Sequence, residues 1–421
     1  MAYDDSPYRR SGADEQTPTD PAAYRTGSAA TDFRNRRRDL EPDDTGTRIT
    51  EPLPETGRRG GTDGGHDRLG VHIGWEIMLL LAVAAIAVLL YRFDPTSLRR
   101  PALDTLLTSG AVIGLLALGA GLTLRAGVPN LAVGPIALAA ALHFAENGDK
   151  GLLQGAIPPL AIAAGGGLVA AILVLTLHVP GWLVSLAAAM GVIVFDQLRT
   201  APVAVQRTYD LSDQAFFIFG GFALLAVLGG ALGTAGPVRR MVGRMRAVGD
   251  PADRRGGGAV LPVVAALVLS STFAAGAGIL LAARSTAPIV PGTGLEWTGL
   301  AFGVALLAGT SAYGRRGGIF GTLLATAGIT LFLDYAGRRD FDIALFAVGA
   351  ATVGAGLLVT RLVETYGRPL PPPGVDEDWN GAPAAEETWS PAMPETWSPA
   401  TSQGQTRSSD QWDLGPWGGG R

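Results

Sequence analysis

Apolar runs of about 17–25 residues recur between Gly74 and Val363, and no other feature of the chain limits its fold as strongly. A helix needs about 20 residues to cross roughly 30 Å of hydrocarbon. The runs fall near 74–91, 103–123, 128–145, 152–177, 181–198, 215–235, 259–283, 297–313, 318–335 and 342–363. Lipid offers the backbone no hydrogen-bonding partners, so each run must satisfy its own peptide groups by forming a helix. The period-two alternation of a membrane β-barrel is absent. The pattern predicts an all-α, polytopic bundle of about ten transmembrane helices.

The flanks are of a different kind. Residues 1–72 are rich in Asp, Arg, Gly, Pro and Thr, with no apolar periodicity, and 366–421 open on Pro369, Pro371, Pro372 and Pro373. Such segments bury too little apolar surface to offset their chain entropy, so both are expected to be disordered tails around a transmembrane domain at 73–365. Acidic residues (Asp4, Asp5, Asp14, Glu15) precede the first apolar run, unlike a secretory signal, so that run is expected to stay as a helix. The second tail repeats Glu387-Thr388-Trp389-Ser390-Pro391-Ala392 as Glu395-Thr396-Trp397-Ser398-Pro399-Ala400. It also holds five of the eight tryptophans, which have no core to join there. The repeats read either as docking motifs or as tolerated low-complexity sequence.

Arginine in the loops sets the expected orientation. The connection 236–258 carries Arg239, Arg240, Arg244, Arg246, Arg254 and Arg255. Placing it in the cytosol puts both termini inside a plasma membrane, with Arg315 and Arg316 inside as well. Arg92, Arg99 and Arg100 then fall outside, against the rule.

Little in the chain suggests catalysis. There is no cysteine, so thiolate metal sites and a cysteine nucleophile are excluded. His66, His72, His143 and His178 are too scattered for a metal site of recognisable spacing, and no GxxxxGK[ST] phosphate loop is present. The net charge of -4 gives no footprint for nucleic acid. Asp196, Asp334 and Asp342 lie near predicted span ends, where a solvated carboxylate is expected, so a proton-coupled carrier is disfavoured. No cofactor, metal or catalytic residue is expected. Small residues are abundant: Gly165, Gly166 and Gly167, and Gly220 and Gly221, are expected to let helices approach closely. The stretch Gly127-Val128-Pro129-Asn130-Leu131-Ala132-Val133-Gly134-Pro135 should break a helix, with Asn130 as a polar side chain at the break. Such interrupted spans either cap a structural kink or expose backbone to a substrate path.

Four segments resemble the permease family of sugar-type (ribose, xylose, galactose) ABC importers. The stretch 127–135 looks like that family's GGIDLSVGS, with Asn130 at its Asp and Ala132 at its Ser. Val179-Pro180-Gly181-Trp182-Leu183-Val184-Ser185-Leu186 resembles VPSFIVTL. Gly243-Arg244-Met245-Arg246-Ala247-Val248-Gly249-Asp250 resembles GRxxYAIGGN, one residue shorter before the Ala. The stretch from Leu307 through Gly309-Thr310-Ser311 to Gly321-Thr322 is similar to GGTSLxGGRGSIFGT. The resemblance implies a permease subunit paired with a second permease subunit, identical or not. It implies a separate ATP-binding subunit, an extracytoplasmic solute-binding protein and surrounding membrane lipid. It places Asn130, Ser185, Thr310 and Ser311 on the substrate pathway. It places Arg244, Gly249 and Asp250 in a cytosolic loop that couples to the ATPase. Asn130 and Ala132 remove a charge and a hydroxyl relative to the family, which suits a less polar solute than a pentose. Branched-chain amino acids and nucleosides stay open as cargo. A membrane scaffold recruiting partners through its tails is the expectation from another class.

Overall fold

The computed structural model describes residues 69–206, 211–235, Val238, 260–312 and 318–366. All belong to one unit, Asp63–Arg421. Both tails, the basic loop apart from Val238, and 313–317 lie outside the described residues.

Ten α-helices form at the ten apolar runs among the described residues: α1 (Leu69–Phe93), α2 (Ala102–Arg125), α3 (Val133–Asn147), α4 (Leu152–Leu177), α5 (Gly181–Gln197), α6 (Ala215–Thr234), α7 (Val260–Arg284), α8 (Leu295–Leu307), α9 (Gly321–Arg338) and α10 (Leu345–Tyr366). Six of them (α1, α2, α4, α6, α7 and α10) are long and apolar enough to cross a bilayer. The expected count of about ten spans is therefore supported by six helices on length and composition, with α3, α5, α8 and α9 shorter or more polar. α1 begins at Leu69, four residues before the expected boundary of the tail. Large apolar side chains such as Leu81, Ile162, Met190, Phe217 and Leu358 stand exposed on α1, α4, α5, α6 and α10. Water would penalise such a surface and lipid would not, so the chain is a membrane protein.

α2 and α8 end by the same device. α2 stops because Gly127 takes φ +70°, which carries the chain out of the helix. The Gly127 amide then donates to Leu124 O and the Val128 amide to Thr123 O, closing the last turn. α8 stops in the same way at Gly309, φ +89°, with Gly309 donating to Leu306 O and Thr310 to Ala305 O. The third apolar run was expected from 128, but its helix starts only at Val133, because Gly127 and Pro129 keep the intervening residues non-helical. The eighth ends at Leu307 rather than near 313 for the parallel reason.

Helices in lipid gain little from the hydrophobic effect against one another, so close packing must hold them. α7 is the hub. A Cβ on Gly119 of α2 would lie 3.2 Å from Ser270 O, and one on Gly167 of α4 would lie 2.6 Å from Leu267 O. Gly278 of α7 packs against the backbone of Ala137 on α3. α2 and α7 run antiparallel: the Arg284 guanidinium, at the end of α7, donates to Ser109 Oγ near the start of α2. α8 and α10 pair through Gly299 against Gly349, Gly303 against Thr352 and Gly356 against Leu306. Of the glycines expected to bring helices together, only Gly167 does so. Gly165, Gly166, Gly220 and Gly221 face open space, because they sit on the outer sides of α4 and α6.

Candidate functional site

The break between α2 and α3 returns the chain to the middle of the bundle. Asn130 Nδ2 donates to Ser270 Oγ at 3.2 Å and to Ser271 Oγ at 3.3 Å. Both serines lie near the midpoint of α7 (Val260–Arg284). Asn130 Oδ1 accepts from the Ala132 amide at 3.1 Å, and the Asn130 amide donates to Thr123 Oγ1 at 3.3 Å. The Ser185 hydroxyl of α5 donates to Pro129 O at 2.8 Å and accepts from the Leu131 amide at 3.1 Å. The Thr298 hydroxyl of α8 donates to Leu131 O at 3.2 Å and accepts from the Gly134 amide at 3.1 Å. Three hydroxyls, on α2, α5 and α8, thus satisfy peptide groups that the break frees, and two more on α7 hold the Asn130 side chain. This is the condition under which irregular backbone survives at membrane depth. Asn130 is 3 % exposed and Ser185 1 %.

At the same place the starts of α3 and α8 meet. A Cβ on Gly134 would overlap Gly294 O, and a Cβ on Gly294 would come within 2.7 Å of Gly134 O. Gly294 also has φ +67°. The two short helices therefore begin back to back, each with a glycine where the other's backbone passes.

The second break follows α8. Thr310 and Ser311 are buried there, at 1 % and 0 % exposure. α1 fastens the two sides of it. The Trp75 indole donates to Leu307 O at 2.8 Å, at the end of α8. Glu76 Oε1 accepts from the amides of Phe320 (2.6 Å) and Gly321 (3.0 Å), at the start of α9. A carboxylate at a helix N-terminus satisfies free amides and meets the positive end of the helix dipole. Glu76→Ala is expected to cost about 1–3 kcal/mol, because it removes a charge-assisted pair of bonds at once. The thermal midpoint in detergent checks this, with Glu76→Gln expected to fall between wild type and alanine. A midpoint unchanged in Glu76→Ala would show that the cap carries no stability.

Among the residues singled out from sequence, Asn130 and Ser185 come together at the first break, and Thr310 and Ser311 lie at the second. Arg244, Gly249 and Asp250 lie outside the described residues. The sequence reading missed Thr123, Ser270, Ser271, Thr298, Trp75 and Glu76. The adjacent serines interrupting the seventh apolar run, and the lone carboxylate inside the first, were the available signals. The carboxylates at span ends behave differently from one another. Asp342 is exposed and Asp334 pairs with Arg338 at 2.8 Å. Asp196 is fully buried, contrary to the expected solvated state. Neighbouring Arg199 holds Glu146 of α3 through both its Nε and Nη2, at 2.6 and 3.0 Å. No cluster of three or more His, Cys, Asp or Glu suited to a metal exists among the described residues.

Comparison with protein-family models, with curated proteins and with solved structures returns no match for this chain.

Proposed function

We propose that the chain is the membrane-spanning permease subunit of an ATP-driven importer for a sugar or similarly small polar solute. One observation carries this reading. Three segments that resemble the sugar-importer permeases, 127–135, 179–186 and 307–322, are far apart in sequence, yet their described residues lie at or beside the two helix breaks. Each break opens at its own positive-φ glycine, Gly127 or Gly309; polar side chains from four helices converge on the first, and α1 supplies Trp75 and Glu76 at the second. Broken helices with polar groups in mid-membrane are the usual construction of a solute path.

In this reading α3, α5, α8 and α9 complete the crossing begun by the six longer helices, and both termini face the cytosol at the plasma membrane. Asn130, Ser185, Thr310 and Ser311 line the path. In the closed arrangement Asn130 and Ser185 bond to protein partners, and opening exchanges those partners for solute hydroxyls. Arg244, Gly249 and Asp250 meet a separate ATP-binding subunit, a second permease subunit completes the pathway, and an extracytoplasmic binding protein delivers cargo. The protein then performs no bond chemistry of its own.

Mild-detergent purification of the tagged chain, with mass spectrometry of what accompanies it, tests the reading. The expected result is an ATP-binding cassette protein that is lost in Arg244→Ala/Asp250→Ala. Its absence under conditions that preserve known importers would overturn the permease assignment.

A further inference from the structure

A groove of about 530 Å³ runs along the outside of α9 between α1 and α10. Its walls are small and apolar, among them Val83, Ile86, Gly328, Phe332, Ala351 and Ala355. Thr352 is the one hydroxyl in its lining, and that hydroxyl already donates to Gly349 O. Nothing inside the groove can orient a polar ligand. A transmembrane helix cannot fill it either, since α1 and α10 approach each other. A helix needs a lane about 10 Å wide.

A charge lies beyond one end of the groove, past Phe332, its last lining residue on α9. Arg339 follows the last residue of α9, and its guanidinium lies 4.9 Å from the Phe93 ring at the end of α1 and 5.8 Å from the Phe341 ring. It therefore reaches from the end of α9, the floor of the groove, to the end of α1, one of its walls. Its neighbour Arg338 is consumed by Asp94 and Asp334, at 2.6 and 2.8 Å. Arg339 has no carboxylate partner among the described residues and is exposed. Leu324, at the groove's far end, is 15 residues before Arg339, about 22 Å along a helix. That is also about half the full thickness of a bilayer, from headgroups to midplane.

We infer that this groove is a lipid site, holding one acyl chain of a singly anionic phospholipid whose phosphate sits on Arg339. The distance from Leu324 to Arg339 matches one leaflet, the apolar lining matches a hydrocarbon chain, and a guanidinium without a carboxylate partner matches a phosphodiester. Asp340 and Asp342 are exposed in the same turn and oppose every anionic headgroup, a multiply charged one most, so the phosphate contact rests on the Arg339 guanidinium on the Phe93 side. The proposal rests on the membrane-spanning character of the chain and not on the permease reading, so either can fail without the other.

Native mass spectrometry of the full chain, delipidated and titrated with phosphatidylglycerol or with phosphatidylcholine of identical chains, tests it. Wild-type protein is expected to retain one phosphatidylglycerol at least about tenfold more tightly than phosphatidylcholine, the scale of one charge-assisted contact. Arg339→Gln, at an exposed position, is expected to erase that preference while leaving chain binding. Gly328→Leu, which fills the groove from α9, is expected to lose both lipids. Equal retention of the two lipids by wild type overturns the proposal, as does undiminished phosphatidylglycerol binding in Arg339→Gln. If Gly328→Leu does not fold, Ala355→Phe fills the groove from α10 and is read in the same way.

Discussion

Gly134→Val is expected to leave little folded protein in mild detergent, whereas Gly165→Val is expected to keep a thermal midpoint close to that of wild type. The two glycines look equivalent in the sequence, since each sits in an apolar run among small residues. Their surroundings differ. A Cβ at 134 would overlap Gly294 O and come within 2.6 Å of the Thr298 amide nitrogen, while one at 165 meets nothing within 4 Å. The obstructing atoms at 134 are backbone, belonging to the first turn of α8 and the residue before it, so no rotamer change relieves them. Overpacking usually costs about 1–3 kcal/mol, and a backbone-on-backbone conflict belongs at or above the top of that range. The substitution also pushes Thr298 away from Leu131 O and the Gly134 amide, the bonds that tie the first break to α8. Fluorescence-detected size exclusion after a temperature series measures both variants. Equal midpoints for the pair would show that α3 and α8 do not abut as described.

That contrast marks the boundary of what the sequence makes legible. Helix positions were readable because apolar run length answers directly to bilayer thickness, and all ten helices lie where the runs lie. Helix ends were readable where glycine and proline act locally, as at Gly127 and Pro129. Gly309 ends α8 by the same device, yet the apolar run continues past it to 313, and run length alone placed the end too late. Glycine function was not readable, because whether Gly165 or Gly167 meets a neighbour depends on which face of α4 turns to α7. α4 is apolar around its whole circumference, so the pattern cannot say which face turns inward. The site was half legible for a similar reason. Asn130 announces itself as a polar residue at a break, but its partners Ser270 and Ser271 are about 140 residues away. Asp196 shows the opposite limit. A position near a helix end suggested solvent, yet the side chain is fully buried.

Asn130→Ala is expected to destabilise the bundle by about 2–3 kcal/mol, more than any single serine or threonine substitution around it. The amide makes three bonds at one buried point: two donated to serines of α7 and one accepted from the Ala132 amide. Alanine leaves the Ala132 N–H without its partner and both serine hydroxyls short of one bond. Unmade bonds in a dry interior cost about 1–3 kcal/mol each, less what the serines recover from their own helix. Ser270→Ala and Ser271→Ala each remove only one of two acceptors for Nδ2, so each alone is expected to cost about 1 kcal/mol or less. Their effects should not add: the double serine variant strands the whole NH₂ group and approaches the loss seen in Asn130→Ala. Asn130→Asp is a separate test. It retains an acceptor for the Ala132 amide and for both serine hydroxyls, but it places a charge near the midpoint of α7, where about 2.5–3.5 kcal/mol opposes it. Thermal midpoints of the single, double and triple variants resolve the cycle. Strict additivity across Asn130, Ser270 and Ser271 would mean that the amide does not bind both serines together. The first break would then be held by Thr123, Ser185 and Thr298.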